Sequence, residues 1–216
     1  MRIAILGTGM VGEALGSKLV ALGYEVRMGS RTPDNAKAAA WVRQAGARAS
    51  QGTFASAAEF AELLFNCTQG SVSLEVLKSV GEAALRGKVL VDVANPLDSS
   101  KGMPPVLYTA PDDSLGEQLQ RAFPDLRVVK ALNTMNCQVM VDPARVPGDH
   151  DVFVSGNDAE AKALVTKLLT EGFGWKHVID LGDITTARGT EAFLPLWLRL
   201  WRSLGSGDFN IHVTKR

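Results

Sequence analysis

Residues 3–12, Ile3-Ala4-Ile5-Leu6-Gly7-Thr8-Gly9-Met10-Val11-Gly12, decide the fold. The apolar run Ile3-Ala4-Ile5-Leu6 suits a parallel strand buried on both faces, and the residues after it fit G-x-G-x-x-G. Gly7 allows the tight turn, Gly9 lets backbone amides approach a pyrophosphate, and Gly12 lets the next helix pack against the strand. Thr8, Met10 and Val11 complete the phosphate loop, and the free N–H groups and positive end of the helix dipole face the anion. Leu15, Leu19 and Leu22 give that helix a packing face, Gly23 stops it, and Tyr24–Met28 supplies a second strand. A glycine-rich structural turn is the alternative, and the strand before it and the helix after it argue against that.

The end of the second strand selects the dinucleotide. A strand built for NAD ends in Asp or Glu to hold the ribose hydroxyls, whereas this one ends in Gly29-Ser30-Arg31. No carboxylate repels a 2′-phosphate here. Arg31 can grip it through a bidentate fork, with Ser30 and Thr8 adding hydrogen bonds, so the cofactor expected is NADP(H). Lys37, one turn into the next helix, reads as a solvated lysine. A solvated loop arginine is the competing reading of Arg31.

The whole chain bounds the rest. With 216 residues, 46% hydrophobic and 21% charged, it can bury a core and hold one domain with a small appendage. Lys+Arg 23 equals Asp+Glu 23, which argues against nucleic acid or an anionic membrane as the main partner. Cys67 and Cys137 stand far apart in no metal-like spacing, and no segment reads as a signal peptide or a bilayer span, so a cytoplasmic protein is expected.

Along the chain, the pattern predicts a helix over 36–45, a short helix over 56–60, and strands at 63–65, 88–94 and 127–132. Their carboxyl ends carry Asn66-Cys67-Thr68-Gln69, Asn95-Pro96 and Asn133-Thr134, and in a doubly wound sheet such ends face the ligand. Thr68, Asn95 and Asn133 are therefore placed beside the cofactor, where neutral amides and hydroxyls can orient a nicotinamide. Asp92, inside an apolar strand, reads as a satisfied structural carboxylate, and Lys130 as a surface-edge lysine. Residues 97–113 show no period and read as a flap beside a second substrate's cleft. Ser114-Leu115-Gly116-Glu117 is a capping box opening a helix to about Phe123.

Past a turn-rich boundary at 143–149, a strand at 152–154, a helix capped by Asp158 and a strand at 177–181 extend the same sheet. A last helix over about 186–204 is apolar nearly all round, which predicts burial against the body and a second subunit. The fold expected is α/β: a Rossmann-type, doubly wound, mostly parallel sheet over residues 1–143, with a small C-terminal α/β extension over 144–216. His150, His177 and His212 form no catalytic or zinc pattern, so no catalytic residue and no metal ligand is assigned. Hydride exchange between two bound rings needs chiefly that their faces meet.

The chain resembles the NADP oxidoreductases that use the deazaflavin coenzyme F420, and it is similar to the cytosolic oxidoreductase domain of the six-transmembrane metalloreductases. The resemblance rests on Gly7–Gly12, Gly29-Ser30-Arg31, Asp92 with Asn95-Pro96, Val128–Thr134 and Pro195–Trp201. It implies NADPH held by the first two motifs, a flavin-like or F420 acceptor stacked on the nicotinamide, and a homodimer. Asn66-Cys67-Thr68-Gln69 departs from the more apolar strand end of that family. A rival from another class is a non-catalytic NADP(H)-sensing module.

Overall fold

In the computed structural model, which describes residues 1–216, ten strands form. They are β1 (Arg2–Leu6), β2 (Glu25–Ser30), β3 (Ala49–Thr53), β4 (Leu63–Asn66), β5 (Val89–Asp92), β6 (Leu97–Asp98), β7 (Val106–Leu107), β8 (Arg127–Ala131), β9 (Asp151–Gly156) and β10 (His177–Gly182). The helices are α1 (Met10–Ala21), α2 (Ala36–Ala45), α3 (Phe54–Phe60), α4 (Gly70–Val80), α5 (Glu82–Leu85), α6 (Leu115–Ala122), α7 (Cys137–Val141), α8 (Ala159–Lys167), α9 (Ala187–Ala192) and α10 (Leu194–Leu204).

Eight strands make one sheet in the order β10-β9-β8-β5-β4-β1-β2-β3. From β3 to β8 every neighbouring pair is parallel; β9 turns antiparallel to β8, and β10 is parallel to β9. Chain order reverses between β1 and β4, the point at which such sheets open a crevice beyond their carboxyl ends. This is the Rossmann-like α/β architecture expected.

Alternation along the strands makes two cores. Ile3, Ile5, Leu63, Phe65, Val89, Val91 and Val129 face one layer, while Ala4, Leu6, Leu64, Leu90 and Val128 face the other. Each fully buried Leu, Ile, Val or Phe contributes roughly 1.5–3 kcal/mol. On the first layer α1 meets α2 closely: a Cβ on Gly16 would lie 2.8 Å from the Trp41 ring, whose Nε1 donates to Ser17 Oγ at 3.0 Å.

At the carboxyl rim the apolar pattern gives way to a polar row across the sheet. Leu6 pairs with Asn66, Asn66 with Asp92, Asp92 with Lys130, and Lys130 with Ser155. Because pairing is in register, these side chains emerge side by side on one face.

Four local readings are corrected. Strand β3 has an almost wholly polar sequence, Ala49-Ser50-Gln51-Gly52-Thr53, and forms at the sheet edge on backbone pairing with β2. The helix after it begins at Phe54 because Thr53 Oγ1 accepts from Ser56 N. The stretch 97–113 holds a short antiparallel pair, β6 with β7. The terminal helix is broken at Phe193, with Pro195 in the first turn of α10, and only Leu194 of α10 is buried, leaving Leu196, Trp201 and Leu204 about half exposed.

Candidate functional site

The phosphate loop is shaped by what its glycines allow. Gly7 has φ +127°, and a Cβ there would lie 2.5 Å from the Cys67 carbonyl oxygen. A Cβ on Gly12 would lie 2.3 Å from the Gly7 carbonyl oxygen, so this glycine lets α1 sit against the turn. Around Gly9 nothing lies within 4 Å of that position: the loop is open on that side.

Helix starts separate into two kinds. Asn35, Thr53, Ser114, Asn136 and Asp158 cap α2, α3, α6, α7 and α8 with a side-chain oxygen, whereas α1 and α4, like α5, α9 and α10, have no side-chain cap. First-turn amides of α1 and α4 are thus left for solvent or an anion. That donor set fits a pyrophosphate.

A groove of about 840 Å³ runs beside the loop, lined by Gly7, Thr8, Gly9, Ser30, Arg31 and Thr68 among others. Arg31 is exposed and makes no ion pair, while Ser30 is buried and its hydroxyl donates to the Thr32 carbonyl at 2.5 Å. Ser30 therefore shapes the turn that presents Arg31 and has no proton left to donate to a phosphate. Thr53 and Phe54, at the end of β3, also line this groove. Sequence reasoning passed over them because their strand lacks an apolar signature.

A second groove of about 810 Å³ adjoins it, sharing Thr68 and Gln69, and is lined further by Val11, Gly70, Asn95 and Tyr108. Asn95 Nδ2 donates to the Asn133 carbonyl and Asn133 Nδ2 to Asn95 Oδ1, both at 2.9 Å. Asn133 is buried and does not line either groove; its place is behind Asn95. Met10 points away, 79% exposed, and Gly12 is packed inside. The structure thus brings together Gly7, Thr8, Gly9, Val11, Ser30, Arg31, Thr68 and Asn95, and leaves Met10, Gly12 and Asn133 off the groove surface.

The flap borders the second groove. Tyr108, just after β7, donates its hydroxyl to the Gly70 carbonyl at 3.0 Å, and burial, then the Glu191 charge, push its pKa up to about 12. A Cβ on Gly70 would meet the Asn95 carbonyl oxygen at 2.1 Å, so α4 starts directly on the Asn95 backbone. Neither Tyr108 nor Gly70 carries a sequence signal beyond lying in these loops.

Behind the wall lies a buried ion cluster. Lys130, expected at a surface edge, is 1% exposed; its Nζ donates to Asp92 Oδ2 at 2.8 Å and the Ala94 carbonyl at 2.6 Å and forms an ion pair with Glu191 Oε1 at 2.7 Å. Burial alone would lower its pKa, but the Asp92 and Glu191 charges outweigh that and raise it. Asp92 also accepts from Asn66 Nδ2 at 2.8 Å, which confirms it as a satisfied carboxylate. No group of three metal-ligating side chains occurs; His150 is tied to the Pro143 carbonyl and Asn210.

Comparison with known proteins matches residues 2–96 to the family model for coenzyme F420-dependent NADP oxidoreductases. The F420-dependent NADP reductase of Methanocaldococcus jannaschii is 32% identical over 219 residues, 96% of each chain. The chain belongs to the F420-dependent NADP reductase family.

Among members of this family, the Methanothermobacter marburgensis reductase is 32% identical over 93% of this chain and 92% of its own. A crystal structure from Arthrobacter sp. FB24 assigned to F420-dependent NADP reductases is 50% identical, covers 100% of both chains and superimposes with TM-score 0.95. The metalloreductase STEAP3 of Rattus norvegicus is 31% identical over 91% of this chain but only 38% of its own length. An imine reductase from Streptomyces aurantiacus, 18% identical with TM-score 0.66, shares the fold alone. Like the family, this chain is an NADP-dependent oxidoreductase. None of its helices is long and apolar enough to cross a membrane.

Proposed function

We propose that the groove along the glycine loop binds NADP(H) and that the adjoining groove admits a flavin-like or deazaflavin acceptor, coenzyme F420 foremost. One observation carries this reading: the Gly7–Gly9 loop that leads into the uncapped α1 and the free Arg31 side chain line one groove, which shares Thr68 with a second chamber. The relatives named for F420 support the acceptor class.

In this reading the backbone amides of Thr8, Gly9 and Val11 hold the pyrophosphate, Gly7 shapes the turn with its own amide given to the Gly29 carbonyl at 3.1 Å, Arg31 grips the 2′-phosphate, and Thr68 borders the ribose side of the junction. The nicotinamide, when bound, supplies or receives the hydride. Asn95 orients its carboxamide, because the Asn133 pairing leaves Asn95 one amide proton and one lone pair free for the groove. Tyr108 closes the flap against Gly70 and limits water in the second chamber. No side chain need transfer a proton from the nicotinamide.

Residues 1–143 would carry both grooves, and 144–216, which lines neither, would brace the second from behind through Glu191 on Leu115 and Gly116. The half-exposed Leu196, Trp201 and Leu204 of α10 support association with a second copy. Titration with NADPH, followed by separate additions of F420, FMN and a ferric chelate, tests the proposal. Tight NADPH binding with oxidation by F420 is the expected result; turnover with the ferric chelate alone would replace the acceptor, and binding without any turnover would favour the sensing module.

A further inference from the structure

The buried cluster of Lys130, Asp92 and Glu191 carries an excess charge. Asp92 Oδ1 accepts from Asn66 Nδ2 at 2.8 Å and from Ala94 N at 3.3 Å, and its Oδ2 accepts from Lys130. Glu191 Oε1 pairs with Lys130 and accepts from Gly116 N at 3.1 Å, and its Oε2 accepts from Leu115 N at 2.8 Å. Every carboxylate oxygen thus faces a donor. The lysine donates to Asp92 and the Ala94 carbonyl and pairs with Glu191 at 2.7 Å. One ammonium against two carboxylates leaves a net charge of minus one, softened by the positive end of α6 on which Glu191 sits.

Of the other charges near the second groove, Asp98 makes no ion pair and the rest cancel in pairs. Glu117 binds Arg188 at 2.6 Å, and Glu75 binds Lys78 at 2.9 Å. The three side chains of the cluster are at most 2% exposed, so water screens their field weakly. The cluster also adjoins the chamber: Ala94, which Lys130 holds, lines the second groove beside Asn95, and at the Tyr108 hydroxyl the Glu191 and Asp92 charges act against that of Lys130.

Resting on the reading above that the nicotinamide lies at Asn95, we propose that the Asp92–Lys130–Glu191 cluster sets redox-state specificity, binding the cationic oxidised ring of NADP+ in preference to the neutral ring of NADPH. When NADPH acts as donor, the hydride and its electron pair pass to the acceptor ring, and the nicotinamide left behind is a cation. A fixed negative charge behind the wall favours that state without touching it. The cluster thereby inclines the bound cofactor toward giving its hydride up. Asp92 and Glu191 are positioning and charge-setting residues, acting through the wall and not on the reacting atoms.

Glu191→Gln and Asp92→Asn each remove one negative charge at nearly constant shape. Removing a unit charge about 10 Å from another at an effective dielectric of about 20 changes an equilibrium by on the order of tenfold. Dissociation constants for NADP+ and for NADPH are measured by calorimetry on each variant, with thermal unfolding confirming the folded state. Both variants are expected to raise the ratio of the NADP+ constant to the NADPH constant, by roughly three- to tenfold. A purely structural role weakens both forms by one common factor, and an unchanged ratio overturns the inference. Failure of the unaltered protein to bind either form overturns the groove assignment itself, which separates the two readings.

Discussion

Asn95 and Asn133 hold each other through two hydrogen bonds of 2.9 Å, one from each amide nitrogen. The pairing is possible because Leu132, between β8 and Asn133, adopts φ +64°, a left-handed conformation that costs a non-glycine residue on the order of 1–3 kcal/mol. That turn swings the Asn133 amide across to Asn95. In Asn133→Ala, Asn95 loses its support, and kcat/KM for hydride transfer should fall on the order of tenfold while NADPH affinity changes little, as steady-state kinetics and a binding titration would show. Equal losses in both would assign Asn133 to folding alone.

Arg31 has no partner within the protein, so its removal leaves no buried group unsatisfied. Arg31→Ala should weaken NADPH by about 1.5–3 kcal/mol, roughly ten- to a hundredfold, and leave NADH within about twofold. Fluorescence titration of both dinucleotides checks this. A parallel loss for NADH would remove the 2′-phosphate role.

Lys130→Met strands two carboxylates inside the protein. Breaking a buried ion pair by deleting one partner costs about 3–5 kcal/mol, so the urea midpoint should drop steeply. A loss below about 1 kcal/mol would mean that water enters the cluster.

Tyr108→Phe deletes the bond from the flap to Gly70. The expected cost is about 1 kcal/mol, seen as an approximately fivefold rise in KM for the acceptor with NADPH affinity unchanged. Faster amide exchange in residues 97–108 would accompany it.

Acid should loosen the start of α6. The Arg121 guanidinium bonded to Asp113 holds that carboxyl down at about 2, below its unfolded value near 4. A depressed carboxylate contributes stability that is present above the unfolded value and is lost as pH falls toward the folded one. Asp113→Asn should therefore flatten the fall in melting temperature between about pH 4 and pH 2, and an unaltered acid limb would show the pair to be thermodynamically silent.

Legibility in the sequence followed physical locality. The first βαβ unit, the α6 cap at Ser114 and the run of Asn and Thr at strand ends depend on neighbours along the chain, and all appear in the structure. β3 was missed because an edge strand needs no apolar face, only a partner's backbone. Lys130 was misplaced because its burial depends on Glu191, which lies in another element 61 positions away. The break at Phe193 follows from Pro195, whose ring lacks the amide a continuous helix would need. Tyr108 was invisible for the same reason as Lys130: its partner Gly70 lies 38 residues earlier.

The reversal of β9 against β8 has a consequence for the order in which the molecule is assembled. Every backbone group of the phosphate loop and its groove lies within the first 79 residues, so a nascent chain can complete that cradle early. The second chamber waits for Glu191, whose oxygens cap Leu115 and Gly116 from 76 and 75 positions downstream. Closing so long a span is slow, and until it closes Lys130 has only one of its two counterions. On the function proposed above, synthesis delivers a nucleotide holder first and an electron-transfer site last, so ribosome-stalled chains ending before α9 should retain the former without the latter.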